Sequence, residues 1–214
     1  MGLLRTLKRL RKRKEEAARK KRRKHLLESL EPRLLLSADL KFSMSGTVDD
    51  LTLRLQDEEG TDSFQLINKQ DGSILFSQSL ADTRSIEITG SEHADSLTVD
   101  FSKTFDTPVV FKDSTQGDED RLQVIGEATE WRILGEDSGR ALVGGVVSFS
   151  GIEHLEGGKG NEDTFILGAG GFLSGTIEGG TAGFDTLVIE GTYDRAAFFA
   201  DGPDAGRILL DGRS

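Results

Sequence analysis

Four times beyond residue 40 the chain repeats one phrase: an acidic residue, a small hydroxyl residue, then alternating apolar positions. The strong copies are Asp62-Ser63-Phe64-Gln65-Leu66, Asp95-Ser96-Leu97-Thr98-Val99, Asp163-Thr164-Phe165-Ile166-Leu167 and Asp185-Thr186-Leu187-Val188-Ile189. Looser copies are Asp50-Leu51-Thr52-Leu53 and Asp120-Arg121-Leu122-Gln123-Val124. Alternation of this kind marks a half-buried strand. One such strand cannot bury its inner face alone, so a series of short strands after similar turns calls for stacking.

The last two strong copies are the most alike. GGKGNEDTFIL (157–167) and GGTAGFDTLVI (179–189) share the pattern G-G-x4-D-T and lie 22 residues apart. Residues 90–99 keep the Gly-x4-Asp spacing. The other intervals are irregular, which implies several strands per coil and loops of variable length. Further strands are expected at 73–77, 85–89, 109–111, 131–134, 146–149 and 207–210, with one helical turn over 195–200. The 26 glycines and the 36% hydrophobic content suit many turns and a thin core. The fold expected for residues 41–214 is all-β, a right-handed parallel β-solenoid (β-helix). The aspartates that open the phrases, Asp62, Asp95, Asp163 and Asp185, are read as structural, hydrogen-bonding their own turns. Thr164 and Thr186 are expected to stack on successive coils.

The first 37 residues differ sharply from this body. They carry 14 Lys/Arg against 4 Asp/Glu, within a chain whose net charge is -10. Leu3, Leu7 and Leu10 share one helical face, and good helix formers continue to residue 30. A basic N-terminal α-helix over 1–30 is expected, ending before Pro32. Such an arm suits an anionic membrane surface. Nucleic acid is not expected as a partner, because the arm has no aromatic residue to stack on bases and the body is acidic. Only three leucines precede Ser37-Ala38, too few for a cleaved signal peptide, and no stretch is long and apolar enough to span a bilayer.

At the seam, 30–40, the segment LESLEPRLLLSAD behind the basic run resembles the LEPR-XLL domain. Leu30, Glu31, Pro32 and Arg33 match its first block, Leu35 and Leu36 its second, and Leu34 its variable position. The resemblance implies the start of a large, repetitive, exported bacterial protein. Residues 120–192, with WRILGEDSGRALVGGVVSFSGIEHLEGGKGNEDTFIL, resemble the degenerate repeats of RTX-like and parallel β-helix adhesins. In RTX nonapeptides tight glycine turns and an aspartate present oxygen ligands to Ca²⁺. The residues that this resemblance offers to calcium are Gly158, Gly160, Asn161, Glu162, Asp163, Gly180 and Asp185. The match departs from the nonapeptide: Glu162 holds the aspartate position, Asp163 comes one residue late, and Ala182 replaces a glycine. The two readings are therefore no cofactor with purely structural turns, which the Asp-Thr pairing favours, and Ca²⁺ bound at those turns.

Catalytic patterns are weak. There are no cysteines; His25, His93 and His154 lack zinc spacing. Acidic pairs such as Glu58-Glu59 and Glu119-Asp120 read as solvated turn charges. Trp131 reads as packing. The function expected is non-enzymatic: the N-terminal region of a bacterial secreted or cell-surface repeat protein, adhesin-like or matrix-like, with a glycan or protein ligand. Its N-terminal motif would act in export, sorting or capping, with export machinery or the cell envelope as partner. The chain is expected to continue in a longer parent protein. The alternatives are a glycan-active β-helix enzyme and a passive body on a membrane-binding arm.

Overall fold

The computed structural model describes residues 38–113, 115, 118–200 and 206–211. The expected basic helix and the motif residues Leu30, Glu31, Pro32, Arg33, Leu35 and Leu36 lie outside these residues. The described chain is all-β. It contains β1 (Ala38–Ser43), β2 (Asp50–Glu58), β3 (Thr61–Asn68), β4 (Ile74–Ser79), β5 (Thr83–Thr89) and β6 (Ser96–Asp100). Then follow β7 (Val109–Lys112), β8 (Arg121–Ile125), β9 (Glu130–Gly135), β10 (Ser138–Leu142), β11 (Val146–Ser150) and β12 (His154–Glu156). The last five are β13 (Thr164–Leu167), β14 (Ile177–Glu178), β15 (Thr186–Ile189), β16 (Ala196–Ala200) and β17 (Gly206–Leu210). The one helical element among the described residues is a 3-10 turn at Leu80–Asp82.

Two open sheets share β1 to β15, and β16 pairs with β17 alone. The first runs β1-β5-β7-β11-β10-β9-β13-β15 and the second β14-β12-β8-β6-β2-β3-β4. Between β4 and β9, and again from β11 to β15, the chain changes sheet at every strand. Pairing along β2-β6-β8-β12-β14 is parallel throughout. The register places Leu51, Leu97, Leu122, Leu155 and Ile177 in one column. The first four are completely buried. Each such side chain contributes roughly 1.5–3 kcal/mol of burial. Matching columns in the first sheet include Ile88, Phe111 and Phe149, and separately Trp131, Phe165 and Leu187. The apolar faces of both sheets merge into one core.

The sheets are mixed, where uniformly parallel stacking was expected. Two antiparallel excursions account for most of the difference. One is β2-β3-β4, whose first turn puts Glu59 and Gly60 at positive φ between Glu58 and Thr61. Positive φ at both central residues is the two-residue hairpin geometry that matches strand twist. The other is the meander β9-β10-β11. A third antiparallel pair, β16 with β17, replaces the helical turn expected over 195–200. Its alanines favour helix locally, but pairing such as Phe198 with Ile208 overrides that preference. Strands also form where none was expected, at β1 in the presumed hinge and at β10, β12 and β14.

Candidate functional site

The repeated turns are built around their acids. Asp163 is fully buried just before β13. Its Oδ1 accepts the Thr129 N–H at 2.7 Å and the Asn161 side-chain amide at 3.0 Å, and its Oδ2 accepts the Gly158 N–H at 2.9 Å. Its own N–H donates to Oδ1 of Asp185 at 2.9 Å. The second sheet repeats the device before β6, β8 and β12. The Asp95 N–H donates to Oδ1 of Asp120 at 2.8 Å, and the Asp120 N–H donates to Oε2 of Glu153 at 2.9 Å. Each acid satisfies a backbone group on the neighbouring strand's turn, where a buried N–H would otherwise go unpaired.

This geometry explains the G-G-x4-D spacing. The carboxylate folds back beneath the first glycine of the pair. A Cβ on Gly157 would run into Oδ2 of Asp163, and one on Gly179 into Oδ2 of Asp185. Gly90 stands in the same relation to the acid of its own turn: its Cβ would lie 2.8 Å from Oδ2 of Asp95, and 2.9 Å from Oδ2 of Asp113 in the turn after β7.

At the turns leading into β6 and β8 the acids converge. Carboxylate oxygens of Asp95, Asp113 and Asp120 lie within 4.8 Å of one another, as do those of Asp118, Asp120 and Glu153. Asp95 and Asp120 are fully buried and Glu153 is 5% exposed. Oδ2 of Asp120 and both oxygens of Asp118 are buried with no hydrogen-bond donor. Burial pushes Asp120 up to about 8, helped by the Asp113 carboxyl against it and the Asp118 charge, and opposed by the Asp95 N–H. Burial likewise raises Asp118. It raises Asp95 against the Ser91 hydrogen bonds, and Asp163 against the N–H groups of Thr129 and Gly158.

The glycine turns stack on each other but are furnished differently. The Gly160 N–H donates to the carbonyls of Thr181 and Ala182, at 3.1 and 3.0 Å, and Asn161 bridges to Gly183. Gly180 packs on the Gly158 carbonyl. Glu162 and Asp185 are exposed. N–H donors occupy the carbonyls of Thr181 and Ala182 and both carboxylate oxygens of Asp163. Thr164 and Thr186 are register partners. Asp62 departs from the other turn acids: it lies within β3, opposite Asp57, and pairs with Lys103. Glu119 is exposed as expected, but its neighbour Asp120 is not a solvated turn charge. Trp131 is buried and stacks on Phe165, ring centroids 5.5 Å apart.

Asp113, Asp118 and Glu153 carry no repeat signature, and the turns bring them in from other segments. One signal was present: Asp120 stands 25 residues after Asp95 at the same place in the phrase. No family model, no curated protein and no solved structure matches the chain. No helix among the described residues is long and apolar enough to cross a membrane.

Proposed function

We propose that this chain is a non-enzymatic scaffold, a β-solenoid region of a bacterial secreted or cell-surface protein of adhesin-like or matrix-like type. The observation that carries the reading is the ascending parallel order β2-β6-β8-β12-β14, with a turn acid of one strand capping the turn of the strand before it. Successive coils joined in that way make a stiff body, and the two antiparallel excursions are insertions into it. Right-handed winding is the default for parallel crossovers. The N-terminal segment that resembles the LEPR-XLL domain would act in export, sorting or capping. The outer faces carry polar ladders that suit solvent contact, such as Gln123-Glu156 and Arg121 between Glu156 and Glu178.

A glycan-active enzyme would need converging carboxylates within reach of a substrate. The acids that converge here include Asp95 and Asp120, which are closed off from solvent. The test has two readouts. Protease shaving of producing cells should remove the protein from the cell surface or medium; a protein fully protected inside intact cells overturns the reading. Incubation with a panel of acidic and neutral polysaccharides should release no reducing or unsaturated ends, and turnover would favour the enzyme.

A further inference from the structure

We infer that Asp95, Asp113, Asp118, Asp120 and Glu153 form a calcium site that ties three turns together. The site goes beyond the scaffold reading and does not depend on it. The acids come from separate stretches: Asp95 before β6, Asp113 after β7, Asp118 and Asp120 before β8, and Glu153 before β12. Two triads share Asp120, and in each the oxygens lie within 4.8 Å of one another. Oxygens on opposite sides of a calcium ion stand roughly 4.6–5.2 Å apart, since each Ca–O bond is about 2.3–2.6 Å. The oxygens therefore already have the spacing of a coordination shell.

Proximity of acids alone would not argue for an ion. The second observation is Asp120 itself. Its side chain is completely buried, and its Oδ2 has no donor from outside the acid cluster. Its Oδ1 is held by the Asp95 N–H, so the group is fixed in place. Both oxygens of Asp118 are buried beside it, also without donors. Buried carboxyl oxygens facing one another are tolerated only when they share a proton or hold a cation between them. Gly90 keeps the space open, because a Cβ there would press on both Asp95 and Asp113. The donors are all hard oxygens, from side chains of unequal reach. That flexible, all-protein cage suits calcium better than magnesium, which demands a tight octahedron and retains its water.

The test uses the full-length chain, stripped with a chelator and titrated calorimetrically with CaCl2, and separately with MgCl2, at constant ionic strength. Saturable calcium binding is expected with a Kd below about 1 mM, the range of extracellular modules. D118N should weaken it at least tenfold and D120N should abolish it, while D185N in the glycine turn leaves it unchanged. Circular dichroism checks that each variant folds. Should D120N not fold, D118N, on a less buried residue, still decides. Absence of saturable heat up to 10 mM calcium overturns the site. Equal affinity for magnesium overturns the calcium assignment. Loss in D185N with retention in D118N places the ion at the glycine turns and overturns it too.

Discussion

The backbone N–H of Asp163 donates to the carboxylate of Asp185, while the carboxylate of Asp163 accepts the N–H of Thr129. One residue therefore joins three strands, β9, β13 and β15, without a side chain entering the core between the sheets. Replacing Asp163 by Ala orphans the N–H groups of Thr129 and Gly158. The expected loss is roughly 2–4 kcal/mol in urea unfolding, with D163N, which keeps one acceptor oxygen, losing about half as much. Equal losses for the two variants would argue that charge, not acceptance, matters.

Gly157 should tolerate no side chain. The carboxylate of Asp163 and the carbonyl of Gly179 both occupy the position of its missing Cβ. G157A is expected to cost about 1–3 kcal/mol, the range for forced overpacking. K159A, at an exposed position in the same turn, should lie within about 0.5 kcal/mol of the parent. A neutral G157A would refute the close-approach explanation of the repeat's first glycine.

Asp120 predicts a pH dependence of unusual sign for an acid. In the unfolded chain it ionises near 3.8, and in the folded chain it keeps its proton up to about 8. Between those values the folded state holds a proton that the unfolded state has lost. Its contribution is therefore fully present below pH 3.8 and is lost as pH rises through 8. In chelator-treated protein, D120N should gain on the parent between pH 5 and 8, by on the order of 1–3 kcal/mol. Parallel stability curves for parent and variant would contradict the shift.

Trp131 separates packing from polarity. Its ring stacks on Phe165 at an interplanar angle of 12°, yet its buried Nε1 finds no acceptor. W131A should cost about 3–5 kcal/mol. W131F keeps an aromatic ring and removes the unsatisfied donor, so less than half that loss is expected. Thermal and urea unfolding of the pair measure it.

What could be read in advance was the local grammar. Alternation located β6, β13 and β15, and the recurrent aspartates marked where turns end. The order of strands in space was hidden, because Asp120 and Asp163 open strands of different sheets. Their sequence interval consequently measured no repeat, whereas 22 residues separate the true neighbours Asp163 and Asp185. The acid cluster was hidden for a related reason. Asp113 and Asp118 lie outside any phrase, and only the stacking of β6, β8 and β12 brings the turn acids together with them. The Glu119-Asp120 pair looked alike in sequence, but the backbone turns one acid out and the other in.

Four bonds from a turn N–H to a turn acid before a parallel strand run one way, although the Ser174 N–H donates back to the earlier Asp137. Asp95 donates to Asp120, Asp120 to Glu153, Thr129 to Asp163, and Asp163 to Asp185, so in these four the acceptor comes later in the chain. As the polypeptide emerges from the ribosome, N-terminus first, each finished layer is one partner short until its successor arrives. Growth then resembles laying bricks whose mortar is carried on the underside of the next course. Removing one complete layer transfers the waiting N–H to another carboxylate, whereas removing part of a layer strands it, so length is expected to vary in whole layers.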